Sequence, residues 1–183
     1  MTFRCGPMKV RLTVLCAVLI LLPGCILIRS TEHRISLNDD GTGEAVLRLI
    51  DLRSDEMADS LVERDFRIMM SSYEKEGAAE FSRQGRTITA KKMYTRADTL
   101  YAEIAYAFEN LQAIEGLHVT DTEIYVIVSA TRHVVRTNGQ VQPWTADAQR
   151  IVWKRDARRL LYQITENSLP SSSSLARYYR TLE

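Results

Sequence analysis

The chain has 183 residues, 45% of them hydrophobic, with 24 Lys and Arg against 23 Asp and Glu and a formal net charge of +1. That is the length of one domain with a sizeable core, and the charge balance leaves no basic excess to neutralise the phosphates of a nucleic acid. The three cysteines are Cys5, Cys16 and Cys25, so residues 26–183 hold no disulfide, thiolate nucleophile or cysteine metal site.

Arg4, Lys9 and Arg11 precede an apolar run from Leu12 to Leu22, interrupted only by Thr13, and no acidic residue occurs before Glu32. Such a run crosses roughly half of a ~30 Å hydrocarbon core, which suits the h-region of a signal peptide better than a permanent span. Either Met1 or Met8 serves as its start. The run ends in Leu22-Pro23-Gly24-Cys25, which resembles the lipobox of bacterial lipoproteins. The resemblance covers residues 1–25 only. It implies that the Cys25 thiol takes a diacylglycerol, that the leader 1–24 is cut away, and that the new amine of Cys25 can be acylated. Two or three acyl chains hold a protein stably on a membrane. Ile26 stands where an Asp would signal inner-membrane retention, so the resemblance implies the periplasmic side of the outer membrane if the source has two membranes. The competing reading is an uncleaved anchor over Leu12–Ile28, which Pro23-Gly24 would break near its end. The leader holds three of the basic residues and no acid, leaving 21 basic against 23 acidic side chains from Cys25 onward.

Residues 26–30 read as a short tether. His33, Ile35 and Leu37 then alternate with polar neighbours as a half-buried strand, and Asn38-Asp39-Asp40-Gly41-Thr42-Gly43 is a dense turn signal. Glu44 to Leu52 returns as a second strand. Ser54 to Glu76 reads as one long helix: Ser54 caps it, Asp55 and Glu56 suit its positive end, and Gly77 closes it. Ala58, Val62, Phe66, Met69 and Tyr73 form its apolar stripe.

Ala79–Ser82 and Thr87–Tyr94 read as a second hairpin. Residues 99–108 fit both periods, with a strand preferred for their Tyr and Phe content, and a short helix follows at Glu109–Glu115. Glu123 to Val135 contains Ile124-Tyr125-Val126-Ile127-Val128, which predicts a strand covered on both faces. Asn138-Gly139 marks a tight turn. Gln149–Lys154 and Arg159–Thr165 read as a closing hairpin, residues 168–174 as a Ser-rich linker, and Leu175, Tyr178, Tyr179 and Leu182 as the stripe of a short terminal helix that needs a docking surface.

The predicted fold is α+β: a largely antiparallel sheet with one long amphipathic helix on a face and a short C-terminal helix. Residues 31–167 form a single domain and 168–183 the linker and last helix. No cofactor is implied. His33, His118 and His133 lack metal-ligand spacing, and neither a Gly-x-Ser-x-Gly elbow nor a phosphate-binding glycine loop is present. The best reading is a non-enzymatic envelope lipoprotein that binds or scaffolds at the membrane surface. It has the membrane as partner through Cys25, with an envelope protein or a lipid as further partner. A carrier of an amphiphile, with a cavity under Phe66, Met69 and Tyr73, and an unrecognised hydrolase are the alternatives. Arg150, Lys154, Arg155, Arg158 and Arg159 form a basic group that could touch anionic headgroups.

Overall fold

The computed structural model describes residues 26–75 and 77–182, without the side chains of residues 75–79. Cys25 and the candidate leader therefore lie outside the described residues. The strands are β1 (Ile26–Leu37), β2 (Gly43–Ser54), β3 (Arg86–Arg96), β4 (Thr99–Phe108), β5 (Leu117–Val119), β6 (Glu123–Ser129), β7 (Arg132–Thr137), β8 (Gln140–Thr145), β9 (Ala148–Lys154), β10 (Arg159–Glu166) and β11 (Ser173–Ser174). The helices are α1 (Asp59–Lys75), α2 (Gly77–Arg83) and α3 (Ala176–Arg180).

These strands make two antiparallel sheets. The large one runs β3-β4-β2-β1-β10-β7, with β11 paired to β2, and the small one runs β5-β6-β9-β8. Strand accounts for 55% of the structure and helix for 18%, so the α+β expectation is overturned in favour of an arrangement close to a β-sandwich. The physical reason is that a second sheet, not a helix, covers much of the first. Ile35, Leu47, Tyr106 and Leu160 of the large sheet bury against Ile124, Val128 and Ile151 of the small one.

Several local readings change with it. Ser54 does not cap a helix but ends β2, fully buried, where its hydroxyl donates to Asp65 Oδ2 at 2.6 Å and accepts from the Glu56 N–H at 3.0 Å. The helix starts only at Asp59. The second hairpin is absent because 77–83 is helical, and β3 pairs with β4 instead. Residues 99–108 form a strand, as preferred, and Leu111–Ala113 form a 3-10 turn in place of a longer helix. The stretch from Glu123 divides after Ser129, with β6 in the small sheet and β7 in the large one. β9 and β10 likewise belong to different sheets, so Asp156-Ala157-Arg158 is a crossover and not a hairpin turn. Residues 26–30 are no tether: Ile26 already pairs with Ser54.

The inner face of the large sheet is shared by two covers. The small sheet lies over one end, while α1 and α3 lie over the other, where Val62, Phe66 and Met69 pack with Ile26, Leu100 and Leu175. The switch between covers is visible in β2, whose buried positions are 43, 45 and 47 and then 52 and 54. Asp51 sits between the two sets at φ 59° and shifts the alternation by one residue. Arg29 Nε and Arg53 Nη1 hold its carboxylate at 2.7 and 3.3 Å. The edge strands are blunted. Register shifts interrupt β3 between Ile88 and Ala90 and break the β10 pairing of β7, and Pro143 lies in β8.

Candidate functional site

β6 is covered on one face only. Ile124, Val126 and Val128 point into the sandwich, so Glu123, Tyr125, Ile127 and Ser129 point out of it. The pairing registers decide what joins them. His118 of β5 lies opposite Tyr125, Arg150 of β9 lies opposite Ile127, and Gln142 of β8 lies opposite Arg150. Trp144 falls inside the register shift between Pro143 and Thr145, and its indole reaches back over the face.

The result is a stacked array across the small sheet. The His118 and Tyr125 rings are 4.9 Å apart and within 13° of parallel, and Tyr125 lies 5.8 Å from Trp144 at 34°. The Arg150 guanidinium sits 4.8 Å from the Trp144 ring and 5.6 Å from the Tyr125 ring. Its Nη1 donates to Glu123 Oε1 at 2.6 Å and its Nη2 to Gln142 Oε1 at 3.1 Å. A guanidinium held beside two rings and bonded through both Nη atoms has little rotamer freedom left to lose on contact with a partner. Beside it, Ile127 is 40% and Trp144 45% exposed. Trp, Tyr and Arg held rigidly next to an exposed branched side chain are the composition of a binding hot spot.

The other histidines are elsewhere. His33 is buried between the sheets, stacked on Tyr162 at 4.6 Å, and burial followed by the nearby Arg86 charge lowers its pKa to about 4. His133 Nδ1 meets Asn167 Oδ1 at 2.8 Å on the surface. Among the described residues no three His, Cys, Asp or Glu groups converge as a metal site.

The basic group predicted around the last turn is dispersed, because that turn crosses between sheets. Arg150 belongs to the array, Lys154 sits opposite Glu123 on the same face, and Arg159 pairs with Ser36 in the large sheet. Arg158 is held by Asp39 at 2.6 Å. The space a carrier needs is occupied as well: Phe66 and Met69 are buried against Leu52, Leu100 and Ala102. Cys25 lies outside the described residues. The array itself escaped sequence reasoning, which took β6 as covered on both faces. Its only local signal is Tyr125 and Ile127 alternating with Ile124, Val126 and Val128.

Compared with family models, with curated proteins and with solved structures, the chain matches none.

Proposed function

We propose that this chain is a lipid-anchored cell-envelope protein that acts by binding, with the outer face of the small sheet as its contact surface. The observation that carries the binding role is the Trp144–Arg150–Tyr125 array with Ile127 exposed beside it. The anchor rests on the basic leader and the lipobox-like Leu22-Pro23-Gly24-Cys25.

The two halves of the reading fit one geometry. Ile26, the residue after Cys25, packs in the helix-covered cluster, whereas Ile35 packs under the small sheet. β1 joins them over nine residues, a rise of about 30 Å at ~3.3 Å per residue. An anchor at Cys25 thus leaves the contact face at the far end of the strand, turned toward the envelope space. Arg159, opposite Ser36, is at that far end too, several Debye lengths from a bilayer at Cys25. It belongs to the distal surface and not to a headgroup contact.

Two experiments test the two halves. Palmitate labelling of intact cells should mark the wild-type chain and leave Cys25→Ser unmarked; labelling of the variant removes the anchor. A photo-crosslinking amino acid at position 127 should give a discrete adduct in cells, weakened by Trp144→Ala, while the same group at position 90 on β3 should not. Equal yields at both positions would remove the contact face.

A further inference from the structure

The groove beside the start of β1 points to a second ligand. Met57, Asp59, Asp98, Ser173, Arg177 and Arg180 surround an open surface cavity of about 450 Å³, together with Ser174. Its place is set by the sheet: Ile26 pairs with Ser54, and Ser54 pairs with Ser173. Two strand spacings, about 10 Å, therefore separate Ser173 from the residue that follows Cys25.

The groove carries two guanidinium groups and two carboxylates, so its charge is balanced in two ion pairs. Arg180 Nη2 donates to Asp98 Oδ1 at 2.9 Å, and Arg177 Nη2 donates to Asp59 and to the Tyr178 hydroxyl. No other guanidinium hydrogen of either arginine is bonded among the described residues. The carboxylates of Asp59 and Asp98 are 79% and 89% exposed. Pairs this wet exchange partners at little cost. The Ser173 hydroxyl is directed only to the Met57 thioether sulfur at 3.8 Å, a weak acceptor that a stronger one would displace. Met57 itself is 64% exposed, an apolar contact at the groove's rim.

We propose that this groove binds the zwitterionic headgroup of a phosphatidylethanolamine-type lipid of the bilayer that holds the chain, a placement that rests on the Cys25 anchor. The phosphate takes the free N–H groups of Arg177 and Arg180 and the Ser173 hydroxyl, a planar fork meeting oxygens in the geometry arginine favours. The primary ammonium donates to Asp59 and Asp98. Met57 lies against the glycerol and the first methylenes. The same balance disfavours other headgroups. An anionic glycerol headgroup adds a net charge to a groove that its two ion pairs already balance, and a quaternary choline has no N–H to give the carboxylates.

The test is native mass spectrometry of the full chain, extracted in detergent, with short-chain lipids of ethanolamine, choline and glycerol headgroups and with soluble glycerophosphoethanolamine. The ethanolamine lipid should be retained at least tenfold better than the other two lipids, and tenfold better than the soluble headgroup. Arg180→Gln should reduce its retention about tenfold. Asp98→Asn, at a site too exposed to threaten folding, should move the preference toward the glycerol headgroup, a change that unfolding cannot produce. Equal retention of all three lipids, or no change of preference in Asp98→Asn, overturns the site. Equal binding of the soluble headgroup overturns its assignment to the membrane. Repeating the series on Cys25→Ser separates the two readings: the preference persists there if the groove is right, whether or not palmitate labels the cysteine.

Discussion

The indole N–H of Trp153 donates to Asn138 Oδ1 at 2.8 Å, and this one bond ties the core of the small sheet to the corner where the chain leaves the large one. The same oxygen accepts from the Leu161 N–H at 2.8 Å, and the Asn138 amide donates to the Arg159 carbonyl at 2.9 Å. One side chain thus spans β9 and β10. Gly139 follows because there is no room for more: a Cβ there would lie 2.6 Å from Trp153 Cε2.

Replacing Asn138 with Ala leaves the Trp153 and Leu161 donors without their acceptor. The expected loss is about 1–3 kcal/mol, the cost of stranded polar groups. Asn138→Asp keeps the acceptor and should lose less. Denaturant unfolding followed by tryptophan fluorescence checks both, and an Ala variant within experimental error of wild type removes this corner as a stabilising element.

That corner also shows where the sequence was legible and where it was not. Asn138-Gly139 is a turn, as the dipeptide indicates, and the Asn38–Gly43 turn does close the β1–β2 hairpin. A turn signal, however, says that the chain changes direction and not which strand it will meet. β7 and β8 leave Asn138-Gly139 into separate sheets, and β9 and β10 do the same around Ala157. Those choices are made by pairings distant in sequence, β6 with β9 and β10 with β1, which local patterns do not encode. The array has the same cause: His118, Tyr125, Trp144 and Arg150 meet only through three registers. Asp51 hid the two-part cover of the large sheet, because its positive φ breaks the alternation used to read β2. The stripe of α1 was legible, since Val62, Phe66 and Met69 are all buried, although the helix is shorter than its apolar pattern.

His33 makes stability depend on pH. Its folded pKa is about 4 against an ordinary 6.5, held down by burial and then by Arg86. Above pH 6.5 the ring is neutral in both states and costs nothing. Between pH 6.5 and about 4 the unfolded chain takes a proton that the folded chain refuses, so stability falls as the pH falls. The full loss is about 3 kcal/mol at the acid end of that window. His33→Phe keeps a ring against Tyr162 and removes the titration. Wild type should therefore lose stability relative to this variant between pH 6.5 and 4, and parallel curves would place His33 in contact with water.

Phe66 is buried on α1 and lies 5.9 Å from the Tyr178 ring of α3. Phe66→Ala should cost about 3–5 kcal/mol through lost burial and the cavity left behind. Because Tyr178 loses its neighbour, residues after Leu175 should also become more open to proteolysis than those of β1. An unchanged melting temperature would return Phe66 to the ligand-facing role that a carrier requires.

Among the described residues two non-glycine residues have positive φ, and they should respond oppositely to glycine. Ala97 (φ 51°) lies in the turn closed by the Arg96–Thr99 pair, and an L-side chain there is strained at a cost of about 1–2 kcal/mol. Glycine relieves that strain but gives back about 0.4–1 kcal/mol through a freer unfolded chain. Ala97→Gly should therefore stabilise by about 0.5–1 kcal/mol. Asp51 has the same strain but accepts from Arg29 and Arg53 in return, and its carboxylate is mostly covered. Asp51→Gly removes that acceptor and leaves two guanidinium groups facing each other across the break in β2, so it should destabilise. Midpoints of urea unfolding for the two variants decide the matter. Shifts of the same sign would mean that backbone strain, and not the Arg29–Asp51–Arg53 cluster, governs the point where β2 passes from one cover to the other.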